Sequence, residues 1–162
     1  MRWTLSHRAD PRACALADRH YSRQKVGSSQ FVPPGRCLVL LSHDKDAVWT
    51  TSWPFPEYVK HDWAGAWICS IFRNESPYLS SELIREAVAV TRWRYSAPPA
   101  LGMVTFINRS KTRSKRDPGY CFLMAGFSKC GRTKGGLYAL QMLPDKMPSA
   151  LAPITLQREF AF

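Results

Sequence analysis

The chain lacks close cysteine pairs, long apolar runs and enough acids to balance its bases, and each shortage narrows what it can be. Its five cysteines, Cys14, Cys37, Cys69, Cys121 and Cys130, stand 23, 32, 52 and 9 positions apart, with no C-x-x-C among them. Disulfide frameworks and zinc sites are normally built from paired, close cysteines. The expectation is therefore free thiols that act as small apolar groups in a reducing compartment. The longest charge-free stretch, residues 95–108, contains Pro98 and Pro99 and falls short of the ~20 apolar residues a spanning helix needs. Residues 1–8 hold no apolar signal core. No P-loop, Gly-x-Ser-x-Gly or other glycine-rich nucleotide signature is present. His7, His43 and His61 show no spacing to a second histidine or a carboxylate that would give them a role. These absences point to a soluble, intracellular protein without a membrane partner.

What is present is a core and an excess of positive charge. The 162 residues include six Trp, eight Phe and six Tyr, too much apolar area for a disordered chain and enough for one domain. We expect a single domain over 1–162, with its core at about 10–143 and residues 144–162 lying along the surface. The net charge of +11 is unevenly placed. Residues 1–36 carry seven Lys/Arg against two acids, 37–108 six against seven, and 109–134 eight against one. An ordinary middle is thus flanked by two basic segments. The densest run interleaves Arg109, Lys111, Arg113, Lys115 and Arg116 with Ser and Thr. Cations neutralise phosphates and release counterions, while short hydroxyls add phosphate hydrogen bonds. Lys111, Arg113, Lys115 and Arg116 are accordingly assigned to phosphate contact.

Asp10-Pro11 reads as a helix start. Ala13, Leu16, Ala17, His20 and Tyr21 then recur at one-face spacing, which predicts that His20 and Tyr21 point inward before the helix fades near Gly27. Strand-like runs follow at 36–42, 47–53 and 63–72, the first two as a hairpin and the third central. Ser80 or Ser81 is expected to cap a helix whose Leu83, Ile84, Ala87, Val88 and Thr91 share a face. A buried strand at 101–107, a short helix at 120–127 and strands around 131–133 and 137–143 complete the order. The pattern implies an α+β (α/β) fold with one mixed central sheet flanked by helices.

That order resembles the GNAT acetyltransferase fold. The residues that carry a closer likeness are His20-Tyr21, the stretch 78–84, Gly102 to Asn108, and Gly119 to Phe127 followed by Gly131-Arg132-Thr133. Together, from about residue 16 to 143, they resemble the Mom family of phage DNA-modification enzymes, a divergent GNAT-like group. The resemblance implies an enzyme that adds a carbamoylmethyl (acetamido-type) group to N6 of adenine in double-stranded phage DNA. The product would resist host restriction in the cytoplasm of an infected bacterium. A homodimer would suit a duplex substrate.

The resemblance also implies roles for single residues. His20 is the leading general base or metal ligand, and Tyr21 beside it is a ligand or proton donor, with iron as the implied metal. Asn108, at the end of a buried strand, is placed to orient adenine. Tyr120 falls where acetyltransferases keep a tyrosine general acid. Arg73, Ser80 and Ser81 flank the loop that would bind acetyl-coenzyme A or a related donor, with Ser81 also a catalytic candidate. Residues 73–81 hold none of the glycines usual before that helix, so an anion there would rest on the helix N-terminus, Arg73 and the serine hydroxyls. Two other readings share these features: a GNAT-type N-acyltransferase for a small amine or protein, and a non-catalytic basic DNA-binding protein.

Overall fold

A computed structural model describes residues 1–20, 28, 31–111 and 118–155. A short strand, β1 (Trp3–Leu5), precedes helix α1 (Pro11–Asp18). A meander follows through β2 (Arg36–Ser42), β3 (Ala47–Trp53) and β4 (Trp67–Asn74). Helix α2 (Ser80–Tyr95) leads to β5 (Met103–Ile107), then helix α3 (Tyr120–Ala125), β6 (Ser128–Arg132) and β7 (Tyr138–Met142). The seven strands form one sheet in the order β1-β2-β3-β4-β5-β7-β6. Every neighbouring pair is antiparallel except β4 and β5, which run parallel at its middle.

Strand alternation divides the side chains between two faces. On one, Leu38, Leu40, Trp49, Trp67, Cys69, Met103 and Leu140 pack under α2 and α3. The buried stripe of α2, Leu83, Ile84, Ala87, Val88 and Thr91, is the one its spacing predicts. On the other face, Ala13, Leu16 and Ala17 of α1 cover Val39, Leu41, Val48 and Ile71. A smaller cluster beside them joins Val104 and Ala139 to Trp63, Ile68 and Phe106. One polar series runs through the main core: Trp49 Nε1 donates to Thr51 Oγ1 at 2.7 Å, Thr51 shares a hydrogen bond with Thr91, and Thr91 donates to the Ala87 carbonyl.

Several boundaries differ from the sequence reading. Asp10 does cap α1 by accepting from Arg12 N–H, but the helix ends at Asp18, so His20 follows it instead of riding on its face. The N-cap of α2 is Leu79, which gives no side-chain cap, and Ser80 is the first helical residue. The third strand starts at Trp67, because residues 63–66 turn back over the sheet. The N-terminus supplies an edge strand whose Trp3 is fully buried and donates from Nε1 to the Leu83 carbonyl at 2.8 Å. Residues beyond 143 do more than lie on the surface: Met147 joins the main core, and the N–H groups of Leu151 and Ile154 donate to the carbonyls of Ala89 and Trp3. None of the five cysteines is in a disulfide, and among the described residues no helix is long and apolar enough to cross a membrane.

Gly102 sets the approach of β5 to the end of β7. Its φ is +66°, and a Cβ there would stand 2.0 Å from the Met142 carbonyl oxygen, a backbone atom that cannot step aside. Gly102→Ala is expected to cost more than ~2 kcal/mol and to lower the melting midpoint by at least ~5 °C. Thermal unfolding followed by circular dichroism checks this.

Candidate active site

The parallel pair at the centre of the sheet is short. β4 and β5 pair at Trp67–Met103, Ile68–Val104 and Cys69–Thr105, and there the pairing stops although β4 continues to Asn74. Thr105 Oγ1 closes the last rung by donating to the Cys69 carbonyl at 3.1 Å. A bulge coincides with the parting. Thr50 and Thr51, adjacent on β3, face Ile71 and Cys69, which leaves Ser70 as an extra residue in β4. The bulge shifts the alternation, so Ile68 and Ile71 lie on the α1 face while Cys69 and Phe72 lie on the α2 face.

Between the parted strands is a cleft of ≈ 40 Å³, enough for a few water molecules or a group of that size. Its walls are Ser70, Ile71 and Phe72 of β4 and Thr105, Phe106 and Ile107 of β5. His20 closes it from the α1 side and Phe122 of α3 from the other. His20 N–H donates to the Ala17 carbonyl at 2.9 Å, which fixes it one step past the end of α1. Burial, together with the Arg73 guanidinium, pushes its pKa down to about 4. The imidazole is therefore neutral at pH 7, the form that accepts a proton or binds a metal.

The segment that carries His20 is tied to the end of β4 by charge. Arg19 reaches the Glu75 carboxylate at 2.6 and 2.9 Å. Arg73 donates from Nε to Glu75 at 2.9 Å and from Nη1 to the Arg19 carbonyl at 3.1 Å. The Arg19 hydrogen bond, with help from Arg73, holds the Glu75 carboxyl below the usual carboxylate range. Arg73, a donor-binding candidate by sequence, thus positions the His20 segment.

The loop ahead of α2 closes on Asn74. Its Oδ1 accepts from Ser76 N–H at 2.9 Å and from the Ser76 hydroxyl, while its Nδ2 donates to the Tyr78 carbonyl and to Ser80 Oγ at 2.8 and 2.9 Å. Tyr78 N–H donates to Ser76 Oγ at 3.2 Å. Ser81 is half-buried in the first turn. A pyrophosphate cradle needs loop amides aimed outward. Here the Ser76 and Tyr78 amides are engaged and the Glu75 carboxylate stands beside them, so the residues present do not fit the diphosphate of coenzyme A. Among the described residues no three of His, Cys, Asp or Glu gather where a metal could sit, and Tyr21, the ligand the resemblance implies beside His20, lies outside them.

Other candidates divide between the cleft and its surroundings. Asn108 directly follows Ile107, and its Oδ1 accepts from Ser110 N–H and Oγ at 3.1 and 2.7 Å, capping a single 3-10 turn (Arg109–Lys111) at the mouth. Lys111 is exposed on that turn. Tyr120 is exposed at the start of α3, and it is Phe122, two residues on, that lines the cleft. Tyr21, Arg113, Lys115 and Arg116 lie outside the described residues. The first basic segment is divided. Arg19 and Arg2, the latter 4.4 Å over the Tyr78 ring, stand at the cleft end of the sheet. Arg36 stacks on Trp53 at 3.9 Å at the opposite end, where Arg8 lines an open groove with Trp93 and Arg94.

Sequence reasoning gave His61 no role, yet its ring lies 4.9 Å from that of Phe106, a cleft residue. Its Nδ1 accepts from Trp63 N–H at 3.1 Å, and burial lowers its pKa. No spacing marks this histidine, and only the fold-back of the β3–β4 connection brings it beside Phe106 and Trp63. No protein-family profile, curated protein or solved structure matches the chain.

A neutral, half-buried imidazole has a consequence for stability. The unfolded chain binds the His20 proton near pH 6.5 and the fold only near 4, so the unfolded state holds the extra proton between those values. The stability due to the neutral ring is fully present above about pH 6.5 and is lost as pH falls through 4. Denaturant unfolding at pH 7.5 and 5 should show a smaller drop for His20→Gln than for the wild type; equal drops refute the assignment.

Proposed function

We propose that the chain transfers a small carbamoylmethyl-type group to the N6 amine of adenine in duplex DNA, with the chemistry at the cleft between β4 and β5. The observation that carries this reading is the neutral His20 imidazole lining a cleft too small for a base and of the right scale for the transferred group. The adenine amine is a poor nucleophile, because its lone pair is delocalised into the ring, and a general base must relieve it of a proton. As the new N–C bond forms, N6 gives that proton to His20, and the leaving group departs with the electron pair of the donor bond. Reaching N6 requires the base to leave the helical stack. The adenine would then present its amine at the mouth, where Asn108 ends β5.

Two further features support the reading. The strand order, with one parallel pair that parts at the centre of an otherwise antiparallel sheet, favours a GNAT-like fold. The exposed Arg109 and Lys111 on the turn after β5 suit a polyanion. Modification of this kind would shield phage DNA from restriction inside the host cell. The N-acyltransferase alternative shares the cleft but needs a coenzyme A cradle, which the Asn74-closed loop does not offer.

The test is nucleoside mass spectrometry of DNA from cells that express the protein. A new adenosine derivative is expected with the wild type, reduced at least ~100-fold in His20→Ala and His20→Gln, with circular dichroism confirming folded protein in each case. Unmodified adenine with folded wild type, or equal modification by the variants, overturns the proposal. Thermal stabilisation by acetyl-coenzyme A and none by duplex DNA would favour the small-amine alternative.

A further inference from the structure

The end of the sheet opposite the cleft holds a groove that the proposed chemistry leaves unused. Ser6 N–H donates to the Val39 carbonyl at 2.9 Å, one step past β1, and the chain then turns away toward α1. Helix α2 stops at Tyr95, where Ser96 takes φ +64° ahead of Pro98 and Pro99. Between the segment after β1, the end of α2 and the start of β2 lies a space of ≈ 400 Å³. Small-molecule sites occupy ~300–1,000 Å³. Leu5, His7, Arg8, Cys37, Trp93 and Arg94 are among the walls.

Two of those walls are cationic. Arg8 is half-buried and anchored at one nitrogen, its Nη2 donating to the Gly35 carbonyl and to Cys37 Sγ at 3.0 Å. Among the described residues its Nε and Nη1 meet no acceptor, and no carboxylate forms an ion pair with Arg8 or Arg94. Burial pushes the Tyr95 phenol up, opposed by Arg94, Arg36 and Arg8, so three guanidinium charges converge on this end. Arg36 is stacked on the rings of Trp53 and Phe55 at 3.9 and 5.0 Å, which leaves Arg8 and Arg94 to the groove. Trp93 lies off the buried stripe of α2 and is exposed at the same rim.

Each part selects a different piece of a ligand. A phosphate has the charge and the several oxygens to accept N–H groups from two arginines at once. An exposed indole offers a planar apolar surface on which a nucleobase stacks. The neighbouring rings, Trp53 and Phe55, already carry Arg36, so one open ring serves one base. Because Arg8 is anchored before binding, little of its freedom remains to be lost when the anion arrives.

We infer that this groove is a site for a free nucleoside monophosphate, with phosphate on Arg8 and Arg94 and the base stacked on Trp93. The site is separate from the cleft between β4 and β5 and stands whether or not the chain modifies adenine.

The test uses inosine monophosphate, which has no exocyclic amine and so takes no part in the cleft chemistry. The Trp93 indole N–H signal, assigned through Trp93→Phe, is followed in proton–nitrogen correlation spectra of the full chain during titration. Saturable movement of that signal is expected at millimolar ligand or below. Inosine and inorganic phosphate, each filling half of the site, should bind at least ~10-fold more weakly. Arg94→Ala and Trp93→Ala, both at exposed positions, should weaken binding at least ~10-fold by calorimetry. Lys146→Ala, an equal charge change at an exposed position beyond β7, should match the wild type. Circular dichroism confirms folded protein in each variant. An unmoved Trp93 signal, variants equal to the wild type, or phosphate alone binding as tightly overturns the site. So does tighter binding of a single-stranded thymidine decamer than of the monophosphate, which would make the groove a nucleic-acid contact instead.

Discussion

Two strands that run side by side in one direction and then separate must leave backbone edges without sheet partners, and those edges have to be filled or solvated. In this protein β4 and β5 separate after Cys69 and Thr105, and the surrounding elements act as wedges. Phe122 enters from α3 and His20 from the end of α1, while the extra residue at Ser70 turns β4 out of register with its neighbour. Aromatic contacts hold the wedge on the helical side, where Phe122 stacks edge-on with Phe72 at 6.0 Å and with Phe127 at 5.3 Å. The gap is a product of packing from both faces, and neither strand alone specifies it.

Electrostatics act on the same gap from two directions. Burial pushes the pKa of His20 down to about 4, and the nearby Arg73 reinforces that shift. The same Arg73 joins Arg19 to Glu75 and so keeps the imidazole-bearing segment against β4. These ion pairs are largely solvent-facing, where each contributes at most ~1 kcal/mol. They position a segment that the apolar contacts of Leu16 and Ala17 already bring near.

Much of the architecture could be read from periodicity. The face of α2, the hairpin of β2 and β3 and the buried strand β5 follow from residue spacing because each buries a regular stripe. The failures share a cause, since each depends on contacts distant in sequence. Trp3 belongs to a strand of three residues, too short for a pattern, and is fixed by Leu83 eighty positions away. The α2 start was assigned to serines because serine is a common cap, whereas Asn74 reaches across the loop to do the organising. At the site, His20 was identifiable from its place near the first helix. Phe122 was not, because it reaches the cleft only when α3 packs over the distant strands β4 and β5. Net charge by segment located cations without showing which end of the sheet they occupy, and Arg36 and Arg19 end up far apart for that reason.

The outermost strand raises a separate matter. Every residue of β6 is exposed, and among the described residues no strand pairs with its outer row of amides and carbonyls. Such a border invites sheet-to-sheet growth unless charge keeps visitors away. Lys129 and Arg132 provide that repulsion and so keep copies of the protein from stitching together.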